Sequence, residues 1–132
     1  MSWTWLLSFI RKNLDNLENR STEEVVAEIV VPDTRKNKCR YVDLLPKNSV
    51  SLPTYFASHV WSAPFLDLID SLREYIGDNV KQDVFVWIDI FAVNQHRDSG
   101  SQASDLQGLN IAIEKSKSTI VCMDTNATLL TR

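Results

Sequence analysis

A chain of 132 residues, 44% hydrophobic and 23% charged, has the size and composition of one small globular domain, which excludes disorder as its main state. Its 14 Lys and Arg against 17 Asp and Glu leave a formal charge of −3, the wrong field for general nucleic-acid binding, which relies on releasing counterions from phosphates. Two cysteines, Cys39 and Cys122, are too few for a disulfide scaffold and fit buried thiols in a reducing compartment, so a cytoplasmic location is expected.

Residues 3–17 place Trp3, Leu6, Leu7, Ile10, Leu14 and Leu17 on one face of an amphipathic helix, with Ser2 as its cap. That helix is expected to pack on the domain. Trp3, Trp5, Arg11 and Lys12 also suit a membrane surface, although Asp15 and Glu18 on the polar face weaken the attraction. Signal-peptide chemistry is a poor fit, because no basic residue precedes the apolar run Trp3 to Ile10. Ser21 and Glu24 have capping-box spacing for a second short helix ending before Pro32. Ile29, Val30 and Val31 then read as strand into turn. Arg35, Lys36, Lys38 and Arg40 form a solvated basic loop, and Tyr41 to Leu45 a short extended segment.

Residues 1–50 therefore read as a helical extension with short extended segments, and 51–132 as the main domain. Thr54 to His59 is a strand rich in aromatics. Pro64 suits the first turn of a helix capped near Ser62, with Phe65, Leu68, Ile69, Leu72, Tyr75 and Ile76 on one face and Gly77 at its end. Val84 to Ile90 carries the nearly unbroken apolar run of a strand covered on both faces, and is expected to be the most buried strand. The longest apolar stretch, Val84 to Val93, is interrupted by Asp89 and is too short to span a bilayer. A polar loop runs from Asn94 to Ala103. A helix from Ser104 follows, with Leu106, Leu109, Ala112 and Ile113 on its apolar face, and Thr119 to Met123 is a third strand. Strand, helix, strand, helix, strand with long connections predicts a flavodoxin-like parallel sheet with helices on both faces.

Three glycines, Gly77, Gly100 and Gly108, supply neither a GxGxxG turn nor a phosphate-cradling loop. Two histidines without CxxC or HExxH spacing leave no recognisable metal site. In a parallel sheet, functional groups collect at the carboxyl ends of the strands. Ser58, His59 and Trp61 stand at the first such end, Asp89, Asn94, Gln95 and His96 at the second, and Asp124 at the third. Ser58, His59, Asp89 and Asn94 are expected to approach one another around a single crevice.

Two segments are similar to known ones. Tyr55-Phe56-Ala57-Ser58-His59-Val60-Trp61 resembles the first strand of heterokaryon-incompatibility (HET) domains, and Val86-Trp87-Ile88-Asp89-Ile90-Phe91-Ala92-Val93-Asn94-Gln95 resembles their second segment, a Trp-Ile-Asp strand leading to a Cys-Ile-Asn-Gln turn. HET domains in turn resemble Toll/interleukin-1 receptor (TIR) domains. The resemblance spans Thr54 to Asp124 and implies the amino-terminal part of a TIR/HET-like domain. His59 stands where HET domains have tyrosine, Ser62 where they have glycine and Ala92 where they have cysteine. The resemblance implies intracellular signalling or defence by self-association, or association with other TIR/HET-like domains. It also implies nucleotide recognition, with NAD as the ligand or substrate. The alternative it implies is an NAD hydrolase whose catalytic glutamate, carried by a Trp-Cys-x-x-Glu segment, lies beyond this chain.

The residues themselves bound that reading. Ser58 and His59 are adjacent in a strand and point to opposite faces, so a nucleophile–base pair is awkward. Asp89 is expected to accept backbone hydrogen bonds and hold the Asn94–Ala103 loop. Glu114 reads as a solvated carboxylate and Asp124 as a turn residue. Trp61 packs, or stacks on a base or nicotinamide ring. Asn94, Gln95 and His96 either brace their loop or touch the ligand.

Overall fold

The computed structural model describes residues 1–78 and 80–122. Helix α1 (Trp3–Leu17) starts where expected: Ser2 Oγ accepts the Trp5 N–H at 3.1 Å, supplying one of the partners that a first helical turn lacks. Its apolar stripe is spent in the core, where Trp3, Leu6 and Leu17 are fully buried. The Ser21–Glu24 capping box forms in both directions and opens α2 (Thr22–Val25).

Helical backbone then continues past the point where the sequence predicts strand. A π-helical turn (Val26–Val30) leads into α3 (Val31–Thr34), which carries Pro32 in its first turn. The Val31 N–H reaches back five residues to the Val26 carbonyl. The strand expected at Ile29–Val31 is therefore helix. Val25, Val26 and Val30 share a buried helical face, and that burial outweighs the β preference of the run. The extended segment expected at Tyr41 to Leu45 is likewise a 3₁₀ turn (Tyr41–Leu44), in which Asp43 accepts the Arg40 N–H and Tyr41 packs on Phe91 with ring centroids 5.3 Å apart. A second 3₁₀ turn (Lys47–Ser49) leads toward the sheet.

The sheet has three parallel strands in the order β2-β1-β3, formed by β1 (Tyr55–Ser58), β2 (Val86–Trp87) and β3 (Ser118–Val121). Tyr55 pairs with Val86 on one side and with Ser118 on the other, so β1 is central and β2 flanks it. The apolar run after Val84 is thus less strand than predicted. Extended backbone ends at Ile88, and the helical turn α5 (Asp89–Ala92) rolls Ile90 and Phe91 into the core. The outer edge of β2 is covered by the chain's own start: Trp3 N–H bonds to the Val84 carbonyl, and Val86 N–H to that of Met1. Residues 1–50 belong to the same core as the sheet.

Helix α4 (Phe65–Ile76) lies on the Tyr55 side, where Tyr55 and Tyr75 meet edge to face. Its cap is Pro64, not Ser62; the Phe65 N–H finds the Arg20 carbonyl at 2.9 Å instead of a side chain. Gly77 ends it at φ +91°, a backbone state open to glycine and costly for other residues. On the other side Phe56 and Trp87 stack at 4.8 Å, and α6 (Gln102–Lys115) sits over Trp87. Here the predicted apolar face fails. Only Ala112 is buried, while Leu106 and Ile113 are 60% and 56% exposed. Gly108, Ile111 and Ala112 border a cavity with Trp87 and Val42, and Leu106 and Ile113 lie outside it. The third strand ends at Val121; Met123 and Asp124 lie outside the described residues.

Candidate functional site

The first turn of a helix carries amide N–H groups with no partner inside the helix. In α2 those of Thr22 and Glu23 donate to the carbonyls of Ala63 and Trp61, both at 3.0 Å. This docks the β1–α4 loop on the helix and turns Trp61 toward it. The Trp61 indole Nε1–H donates to Asp89 Oδ2 at 2.9 Å. The other carboxylate oxygen of Asp89 faces His59 Nε2 at 3.6 Å. Burial lowers the pKa of His59 below the ordinary histidine value, and the Asp89 charge pulls it partly back.

The loop after α5 is braced by its own polar residues. Gln95 Nε2 donates to the carbonyls of Val93, at 3.0 Å, and Asp89, at 3.3 Å. Asn94 donates through Nδ2 to the Lys38 carbonyl and accepts the His96 N–H on Oδ1. His96 Nε2 lies 2.7 Å from Thr34 Oγ1, whose hydroxyl donates to the Val30 carbonyl. Lys38 pairs with Asp98 across the same loop. The Asp89 carboxylate, expected to accept backbone N–H groups of this loop, accepts none among the described residues. The loop holds on the Asp89 backbone carbonyl, while Oδ2 is taken by the Trp61 indole and Oδ1 faces His59 without a hydrogen bond.

A cleft of about 720 Å³ opens between α2–α3, this loop and the start of α6. That volume lies in the range of small-molecule sites. Trp61, Asn94, Gln95 and His96 line it; Ser58, His59 and Asp89 do not. His59 and Asp89 stand behind the Trp61 wall. Ser58 is half-buried, and its carbonyl accepts the Cys122 N–H. Glu23, Val26 and Val31 supply one wall, and Arg97, Ser101, Asp105 and Leu106 the other. The sequence reading missed these. The Ser21–Glu24 cap located the helix end, but the loop that docks on it is separated from it by some forty residues of chain.

Chemically, the cleft is lined by an indole, an arginine, two acidic residues and amide groups already committed to holding the loop. Among the described residues no cluster of His, Cys, Asp or Glu is arranged to hold a metal ion, and no helix is long and apolar enough to cross a membrane. Glu114 is exposed and outside the cleft. No family model, curated protein or solved structure matches the chain.

Proposed function

We propose that this chain is a cytoplasmic TIR/HET-like interaction domain with a flavodoxin-like sheet, which recognises a nucleotide in the Trp61 cleft and acts by self-association. One observation carries the reading. Trp61, Asn94, Gln95 and His96, singled out from strand-end position and resemblance, line one cleft of ligand size beside the carboxyl ends of β1 and β2. Functional groups of open α/β sheets collect at the carboxyl ends of the strands, and the order β2-β1-β3 is how a flavodoxin-like sheet begins; the cleft lies on the β2 side of β1. The reading assigns Trp61 to stack on a base. Arg97, which lines the cleft and forms no ion pair among the described residues, is assigned to a single phosphate.

Titration with AMP, adenosine and NAD, followed by tryptophan fluorescence, tests this. AMP is expected to bind saturably. Trp61→Ala weakens AMP and adenosine together by about tenfold, and Arg97→Ala weakens AMP by a similar factor while sparing adenosine. Absence of saturable binding by any of the three up to about 5 mM sinks the nucleotide reading. Nicotinamide released from NAD would favour the hydrolase alternative. Self-association is supported by β3, whose outer edge meets no strand among the described residues and exposes Thr119 and Val121. Sedimentation is expected to show concentration-dependent dimers that Val121→Lys abolishes.

A further inference from the structure

We infer that His59, acting through Asp89, is the positioning residue for the Trp61 wall of the cleft. Three side chains form the relay. The indole of Trp61 donates to Asp89 Oδ2 at 2.9 Å, and Asp89 Oδ1 faces His59 Nε2 at 3.6 Å. The His59 side chain is 4% exposed, and neither its Nε2 nor Asp89 Oδ1 has a hydrogen-bond partner. Unpaired buried polar atoms are costly. Two of them facing each other across an imidazole–carboxylate gap mark a contact left open by a neutral ring with its proton on Nδ1; charging the ring puts a proton on Nε2 as well and closes it.

Closing it moves Trp61. A charged N–H···O bond settles near ~2.8 Å, well short of the present gap. Both oxygens of Asp89 sit on one carbon, so drawing Oδ1 toward His59 displaces Oδ2, the acceptor that holds the indole. The groups around His59 set when this happens. Asp89 faces it from α5, while Asp67 of α4 and Cys122 after β3 share with it a void of about 10 Å³. Burial pushes the Cys122 thiol up to about 11, so it stays neutral. Burial also lowers the pKa of the imidazole from its ordinary value, against the pull of Asp89, so the ring charges only at a more acidic pH than a solvated histidine would. Below that point the charged ring faces the Asp89 carboxylate.

The consequence for a ligand rests on the cleft reading above; the relay itself does not. The test records the indole ¹H–¹⁵N resonances of the whole chain between about pH 7.5 and 5, assigned with Trp61→Phe. The Trp61 resonance is expected to shift along one titration with its midpoint below about 6.5, coincident with the His59 ring carbons, while Trp3, Trp5 and Trp87 do not follow. His59→Gln abolishes that titration. Should that variant not fold, Asp89→Asn keeps an acceptor without the charge; the His59 midpoint then falls further and Trp61 no longer responds. A Trp61 resonance that stays fixed while His59 titrates overturns the inference. So does a titration that persists in His59→Gln, or a His59 that takes up no proton above about pH 5. Adenosine, which does not titrate in this window, is expected to change affinity at least threefold across it in the parent and not in His59→Gln. Failure of adenosine to bind at all, with the resonances behaving as expected, counts against the cleft and leaves the relay standing.

Discussion

Thr34→Val removes a hydroxyl and adds nothing in shape, so it isolates the link between α3 and the cleft loop. Thr34 is 1% exposed, and its Oγ1 lies 2.7 Å from both the Val30 carbonyl and His96 Nε2. One hydroxyl proton cannot serve both. With that proton on the Val30 carbonyl, His96 donates from Nε2. Valine deletes a neutral hydrogen bond, worth about 1 kcal/mol, and leaves the imidazole N–H unpaired, which costs roughly another 1–3 kcal/mol when fully buried. His96 is only partly buried, so water recovers part of the second cost. A net loss of about 2 kcal/mol is expected. With a urea m-value of about 2 kcal/mol/M, the unfolding midpoint falls by about 1 M at unchanged m. Hydrogen exchange is expected to speed up in residues 94–97 more than in β1, because the link holds the loop and not the sheet. Thr34→Ser, which keeps the hydroxyl, should protect both the midpoint's loop component and the exchange pattern. A midpoint shift below about 0.25 M, or uniform loss of protection across the sheet, would refute the argument that this hydroxyl ties the amino-terminal helices to the cleft.

Three further expectations follow from single positions. Leu17 is fully buried at the end of α1, so Leu17→Ala is expected to cost about 3 kcal/mol in urea unfolding; a cost under about 1 kcal/mol would mean that α1 is not part of the core. Gly77→Ala meets open space but holds φ at +91°, so it should lose about 1–3 kcal/mol through backbone strain alone, with the native near-ultraviolet spectrum retained; neutrality would show that the α4 terminus relaxes. His59 has its pKa lowered in the folded state, so between that value and about 6.5 the unfolded chain binds the extra proton. Its contribution is therefore complete above about pH 6.5 and is lost as the pH falls below it; the drop in stability from pH 7.5 to 5 should be smaller in His59→Gln, and an equal drop would remove His59 as its cause.

Local signals carried much of the secondary structure. Ser2 and the Ser21–Glu24 pair cap helices because their side-chain oxygens lie within a turn of the amides they serve, and Gly77 ends α4 because its own backbone permits the required φ. These interactions span a few residues, so spacing alone reveals them. The alternating order of strands and helices similarly implied a parallel sheet, which β1, β2 and β3 form. Tertiary structure decided the rest. Ile29 to Val31 has strand composition, yet it is helical because Val25, Val26 and Val30 reach the core on a helical face that exists only once α1 and the sheet are in place. Leu106 and Ile113 keep helical spacing, yet they stay exposed, because α6 meets the sheet through Ala112 and Leu106 borders the open cleft. The strand-end residues were legible as a polar group, but not their division. Trp61, Asn94, Gln95 and His96 reach the cleft while His59 and Asp89 stand behind it. The cleft's other wall comes from residues 23–31, brought there by two backbone hydrogen bonds from α2 to the loop after β1. Contacts between segments so far apart in the chain depend on how whole elements pack, and no local pattern encodes them.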